Sequence, residues 1–294
     1  MSSRPRPEAE TATTRSPVTL PGLATMKRDG QKIVMVTAYD YPGALAAEEA
    51  GVDLVLVGDS AAMTVLGYDG TVPVSVEEML VLTKAVRRGL RTPLLVGDLP
   101  FGSYEVSDEQ AVATAFRFVK EAGCEAVKLE GGGPTSVARA TAIVNAGIPV
   151  MGHVGLTPQT ATALGGFKAQ GRTAAAAHKV AAEARALQDA GCFAIVFEAI
   201  PAQLAEEIMP SMEAVVIGIG AGPATDGQVL VFHDLLGMTS GGGARFVKRY
   251  AEIGTQVVAG LSAYTAEVRD GSYPAPEHCY GISDEELAEF RSGR

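Results

Sequence analysis

Three stretches of this chain, EEAGVDLVLVGD at 48–59, KEAGCEAVKLEG at 120–131 and QDAGCFAIVFEA at 188–199, decide its fold. Each runs from the end of a helical pattern, through Ala-Gly, into a short apolar run and then an acid. Gly51, Gly123 and Gly191 suit the left-handed residue that ends a helix and turns the chain into the next strand. Asp59, Glu130 and Glu198 follow those glycines by eight, seven and seven positions, so each acid falls at the carboxyl end of its strand. LLVGDLP at 94–100 brings Asp98 to the same level. A carboxylate leaving a buried strand is costly to hold unless a metal, a cation or a proton compensates it.

Around these units the pattern continues. Apolar runs at 33–38, 53–57, 93–97, 125–129, 148–151, 194–197, 214–218 and 229–232 read as strands. Helical stretches fall near 42–50, 77–90, 108–122, 134–146, 173–190 and 202–210. Alternating strands and helices of this kind imply a parallel sheet with helical crossovers, and eight strands favour closure. The expected fold is therefore α/β, a (βα)8 TIM barrel forming a single catalytic domain over 21–280. Residues 1–20, rich in Pro, Thr, Arg and Glu without an apolar core, read as a flexible tail. The segment 281–294 reads as a short helix, with SDEELAEF set to cap it, or as a tail. In such barrels the carboxyl ends of the strands carry the chemistry.

Composition narrows the functions. The chain is 47% hydrophobic with 34 glycines, ample for a large core. Its formal charge of -10 argues against nucleic acid or an anionic membrane as a partner. No apolar run reaches the ~18 residues that span a bilayer. Cys124, Cys192 and Cys279 are few and scattered, which suits a reducing cytoplasm, and the first two open strands as small packing residues.

Several rim residues carry two readings. Lys128 and Glu130 point to one face with Leu129 on the other, either as an internal ion pair or as a metal ligand beside a cation for a substrate carboxylate or enolate oxygen. Asp59 and Asp98 each follow glycine, and Asp is also a favoured helix cap. Two aspartates and a glutamate at one rim suit Mg²⁺, with water or substrate completing the shell. Asp40 reads as a cap or rim support. Glu198, with apolar neighbours in FEAIP, reads as a general base or as a strand-end carboxylate satisfied by backbone amides. His153 in GHVGLTPQ is a structural hydrogen-bonder or a catalytic group, and Thr157 and Pro158 read as a cap and first helical residue. GGFKAQGR at 165–172 is a lid, with Lys168 and Arg172 meeting an anion, or a solvated loop. GIGAG at 218–222 fails the dinucleotide spacing and reads as backbone passing close to a ligand or a tight turn.

Taken in order, TAYDYP, VGDSAAMTVLGYDGTVP, DLPFGSYE, VKLEGG, GHVGLTPQ, GGFKAQGR, FEAIP and IGIGAGPATDGQVLVFHD resemble the ketopantoate hydroxymethyltransferase family over about residues 20 to 280. The resemblance implies a (βα)8 barrel, a Mg²⁺ ion and 5,10-methylenetetrahydrofolate as one-carbon donor to 3-methyl-2-oxobutanoate. It also implies the first committed step toward pantothenate and coenzyme A, and a homodecamer of two pentameric rings. By position it gives Asp59, Asp98 and Glu130 to the metal, Asp59, Ser60, Asp98 and Lys128 to the keto acid, and Glu198 to the base, with His153 near the site. Departures are small: Gly97 stands where alanine is common, and the N-terminal tail is longer. A Mg²⁺-dependent carbon–carbon lyase or aldolase acting on 2-keto acids, and a silent keto-acid-binding barrel, are the alternatives that the rim acids alone leave open.

Overall fold

The computed structural model describes residues 15–163, 165–239, 241 and 243–293. Its eight strands close into a parallel barrel in sequence order: β1 (Ile33–Thr37), β2 (Leu54–Val57), β3 (Leu94–Asp98), β4 (Ala126–Lys128), β5 (Val150–Gly155), β6 (Ala194–Glu198), β7 (Val215–Ile219) and β8 (Gly227–Leu230). β8 returns to pair with β1, Ile33 standing opposite Gly227. Two strands begin two residues away from their expected starts. β5 starts later and runs on through His153, whereas β8 starts earlier, at a glycine that an apolar-run reading skips. A Cβ at Gly227 would lie 2.4 Å from the Ile33 carbonyl oxygen, so the sheet closes there only over a bare backbone.

The period of two along each strand sorts side chains into an inner and an outer layer. Leu94 and Val96 on β3, Ala126 on β4, Met151 on β5 and Ala194 and Val196 on β6 fill the barrel interior. The next inward positions on the same strands are Asp98, Lys128, His153 and Glu198. The acids, lysine and histidine thus form the top layer of a core that is apolar below. Outward residues such as Val127, Leu129, Ile195 and Phe197 pack under the surrounding helices. Gly51, Gly123 and Gly191 take positive φ values of 73°, 72° and 92°, as the helix-to-strand turns require. Cys124 and Cys192 are buried and unpaired in the outer layer, as their positions suggest.

Residues 15–20 correct the reading of a tail through residue 20. Arg15 pairs with Asp53, the Val18 amide donates to the Thr92 carbonyl at 2.8 Å, and Thr19 caps a helix over Leu20–Arg28. That helix inserts Leu23, 1% exposed, into the inner core at the amino-terminal end of the barrel. The part of the tail at 1–14 lies outside the described residues.

The C-terminal region holds a second departure. An 18-residue helix, Ile253–Asp270, follows β8 but buries none of its residues. Val258 and Leu261 are 64% and 62% exposed. On the barrel wall an apolar groove of about 380 Å³ lies open between β1, β8 and the helix Tyr41–Ala50, lined by Val34, Val36, Ala47 and Leu235. Among the described residues this apolar groove and this helix are thus left uncovered, which is costly in water. Beyond them Ser283 caps a short helix, Asp284–Arg291. No helix among the described residues is long and apolar enough to cross a membrane.

Candidate active site

A cavity of about 600 Å³ opens at the carboxyl ends of the strands. Asp59, Ser60, Asp98, Lys128, Glu130, His153 and Glu198 all line it. The residues that the family resemblance gives to metal, keto acid and base, with His153, therefore reach one space, whereas Asp40, Lys168 and Arg172 do not line it.

Its floor is a dense charge cluster. Register sets Asp98 on β3 beside Lys128 on β4, and the Lys128 Nζ lies 2.8 Å from Asp98 Oδ1 and 3.8 Å from Glu130 Oε1. The Asp59 amide donates to Asp98 Oδ2 at 3.0 Å. Asp59, Asp98, Lys128 and Glu130 are each at most 4% exposed. Burial pushes the Asp98 carboxyl up to about 7; Lys128 opposes the shift and the Asp59 charge adds to it. Glu130 is raised well above the usual carboxylate range, again by burial first and in spite of Lys128. Lys128 moves upward because its acid neighbours outweigh the opposing effect of burial. Neither aspartate caps a helix, so the capping reading falls. Asp40 does cap one, accepting from the Gly43 amide at 2.7 Å. Thr157 occupies the cap position before a short 3-10 turn, but its hydroxyl pairs with Thr160 at 2.6 Å instead of the backbone.

Three carboxyls facing one ammonium leave two negative charges in excess when all are ionised. A divalent cation matches that excess, and carboxylate oxygens are the donors that Mg²⁺ prefers. Among the described residues, no three His, Cys, Asp or Glu side chains are spaced to hold a metal as they stand. Asp98 is turned to Lys128, and Glu130 Oε2 accepts from the Gln159 amide at 3.0 Å. The residues therefore fit a hard divalent ion in charge and donor type, with Asp59 and Asp98 adjoining through the amide contact.

Glu198 stands across from the cluster. Its Oε2 is 3.3 Å from His153 Nε2, while His153 Nδ1 is 3.5 Å from both Lys128 Nζ and Glu130 Oε1. His153 thus connects the floor to the opposite wall. Burial holds its pKa below the ordinary value despite Glu198, which favours the neutral ring. The Glu198 side chain keeps 15% exposure against 2% for Glu130, so its apolar neighbours enclose it less than the sequence suggested. Ala199, immediately after it, has a φ of 48°, a left-handed turn that a non-glycine residue rarely takes.

Two residues of the site escaped the sequence reading. Gln159 Nε2 donates to Asp59 Oδ2 and to the Leu99 carbonyl, both at 3.0 Å. Tyr104 donates to Gln159 Oε1 at 2.5 Å and accepts from the Glu130 amide at 3.2 Å. Gln159 lies in the quoted GHVGLTPQ and Tyr104 in DLPFGSYE, and membership of those motifs was the one available signal. Ser60 reaches the cavity with its hydroxyl 2.8 Å from that of Tyr39. In GGFKAQGR it is Phe167, not Lys168 or Arg172, that lines the cavity. GIGAG resolves as a tight turn: Gly220 and Gly222 have φ values of 66° and 81°, and a Cβ on Gly220 would lie 2.5 Å from Phe246.

Fold and site together define a (βα)8-barrel enzyme with its polar machinery at the carboxyl ends of the strands. Residues 17–276 match the family described as ketopantoate hydroxymethyltransferase. The 3-methyl-2-oxobutanoate hydroxymethyltransferase of Moorella thermoacetica is 55% identical over 266 residues, covering 90% of this chain and 98% of that one. The mitochondrial 3-methyl-2-oxobutanoate hydroxymethyltransferase 1 of Arabidopsis thaliana is 50% identical, covering 93% and 80%. The chain belongs to the ketopantoate hydroxymethyltransferase family. Among solved structures, 2,3-dimethylmalate lyase, a PEP mutase/isocitrate lyase superfamily member, shares the fold with a TM-score of 0.56 at 16% identity, covering 93% of this chain and 99% of that one. Phosphonopyruvate hydrolase in complex with oxalate and Mg²⁺ gives 0.58 at 13% identity, covering 94% and 95%.

Proposed function

We propose that this enzyme transfers a hydroxymethyl group from 5,10-methylenetetrahydrofolate to 3-methyl-2-oxobutanoate, forming 2-dehydropantoate on the route to pantothenate and coenzyme A. The observation that carries this reading is the meeting of Asp59, Asp98, Lys128 and Glu130 on one cavity floor, with Glu198 facing them across His153. The reaction needs a proton removed from C3 of the keto acid, a place for the resulting negative charge, and a shielded route to the one-carbon unit.

Asp59 and Asp98, with Glu130 beside them, would hold Mg²⁺, which when bound supplies Lewis-acid polarisation of the keto group. Lys128, with Asp59, Asp98 and Ser60 around it, receives the carboxylate and keto oxygens and stabilises the enolate electrostatically. Glu198 takes the C3 proton, and its position in the cavity wall leaves it open to the substrate. His153, neutral, places its Nε2 3.3 Å from the Glu198 carboxylate and so positions it. The nucleophilic C3 then bonds to the one-carbon unit as its two carbon–nitrogen bonds to the carrier break. Water supplies the hydroxyl oxygen, the C3 proton and one water proton pass to the two nitrogens, and tetrahydrofolate leaves. The enzyme acts as a homodecamer in the cytoplasm, and the uncovered groove and helix support self-association.

The test is an assay of purified protein with 3-methyl-2-oxobutanoate, methylenetetrahydrofolate and Mg²⁺, with and without a chelator. Ketopantoate should accumulate only with all three, and the chelator should abolish it. Carbon–carbon cleavage independent of the folate would instead assign a lyase.

A further inference from the structure

The outer half of the cavity differs in chemistry from its floor. Met63, Phe167 and Met238 line it, at 42%, 59% and 39% exposure. Drug-sized ligands occupy pockets of about 300–1,000 Å³, so a short keto acid on the floor fills a small part of a cavity of about 600 Å³. The remaining space has apolar walls with threonine hydroxyls among them, and one edge of titratable groups. That edge is His233 and Asp234, just beyond the end of β8.

Asp234 is the one lining carboxyl, among the described residues, that stands apart from the floor cluster and from Glu198. Thr239 Oγ1 donates to its Oδ1 at 2.9 Å, which fixes the carboxylate's orientation. Beside it the His233 ring packs on Tyr39 and Phe232, with centroids 5.4 and 5.8 Å away. Its Nδ1 is buried with no hydrogen-bond partner among the described residues. Such an atom is costly to bury until something pairs with it. Lys128, on the floor, is the sole Lys or Arg among the described lining residues, so the outer half offers nothing to a phosphorylated carrier.

We propose that this outer half seats the flat heterocycle of the one-carbon carrier, with the Asp234 carboxylate accepting hydrogen bonds from its amino-pyrimidinone edge. The inference deepens the proposed reaction and rests on it. A ring N–H and an adjacent exocyclic amine present two parallel donors, as a guanidinium does, and a carboxylate is their natural acceptor. Met63, Phe167 and Met238 cover the faces of the ring. The seat adjoins the floor, so the carried carbon lies next to C3 of the keto acid.

Calorimetric titration of the full-length protein with tetrahydrofolate tests this, alongside separate titration with 3-methyl-2-oxobutanoate and Mg²⁺. Asp234→Asn should weaken tetrahydrofolate about tenfold to a hundredfold, by replacing an acceptor with a donor, and spare keto-acid binding. Met238→Ala, a milder change, should weaken tetrahydrofolate by about threefold or more and decides the matter if Asp234→Asn fails to fold. Wild-type affinity in both variants, or loss of keto-acid binding in Asp234→Asn, overturns the seat and leaves the reaction standing. Failure of the wild-type protein to bind tetrahydrofolate overturns the proposed reaction and the seat together.

Discussion

Lys128 Nζ lies 2.8 Å from Asp98 Oδ1 in a setting where neither side chain exceeds 4% exposure. The pair is held by strand register, Asp98 standing directly beside Lys128 on neighbouring strands. Lys128 is the only Lys or Arg, among the described residues lining the cavity, to offset the charge of three clustered carboxyls. A buried ion pair of this kind adds little net stability, but removing one partner strands the other.

Lys128→Met should therefore destabilise the metal-free protein by about 3–5 kcal/mol, seen as a lower urea midpoint. Added Mg²⁺ should restore part of the loss by binding the folded form alone. A midpoint unchanged from wild type would show that the carboxyls are compensated elsewhere.

The same cluster sets a pH dependence. Asp98 is pushed up to about 7 from an ordinary value of 3.8. A raised folded-state pKa means that the folded protein binds a proton more tightly than the unfolded chain does. The contribution is full below the ordinary carboxylate range and is lost as pH rises through about 7. Glu130, also raised, acts in the same direction. In chelator, stability should fall by on the order of a few kcal/mol from this source between acid and mildly alkaline pH. Asp98→Asn should flatten that slope in thermal melts across the range, and an unaltered slope would count against the shift.

Gln159 bridges Asp59 and, through its backbone amide, Glu130. Gln159→Leu keeps the amide but removes the side-chain contacts to Asp59, Leu99 and Tyr104. The expected cost is about 1–3 kcal/mol of stability with weaker Mg²⁺ binding, read by titration with the metal alone. Mg²⁺ affinity equal to wild type would make Gln159 a packing residue only.

The uncovered helix makes a prediction about assembly. Val258 and Leu261 are 64% and 62% exposed, so neither belongs to the core of the single chain. Val258→Asp with Leu261→Asp should leave the far-ultraviolet circular dichroism intact and shift sedimentation velocity to smaller species. Unchanged sedimentation would exclude the helix from the subunit interface.

The barrel and its acids were legible because both depend on local patterns. An apolar run, a preceding glycine and a terminal acid lie within about a dozen residues, and the period of two then fixes which side chains face inward. Tyr104 and Gln159 were not legible as site residues, because their contacts bridge 55 and 100 positions and exist only once the barrel closes. Helix Leu20–Arg28 was hidden by its shortness and by Pro21, which a helix tolerates in its first turn. Helix Ile253–Asp270 was missed differently: it buries none of its residues, so no core-facing stripe marks it in the sequence. For Glu198 the strand end was legible, but its degree of enclosure depends on the left-handed turn at Ala199 and on His153.

The most direct test follows exchange of the C3 proton of 3-methyl-2-oxobutanoate for solvent deuterium by NMR, with Mg²⁺ and without any folate. This isolates proton removal from one-carbon transfer. Wild-type protein should catalyse the exchange, and Glu198→Gln should bind the keto acid but exchange it about 10²- to 10⁴-fold more slowly. Absence of exchange in the wild type, or exchange by Glu198→Gln at the wild-type rate, would contradict the account.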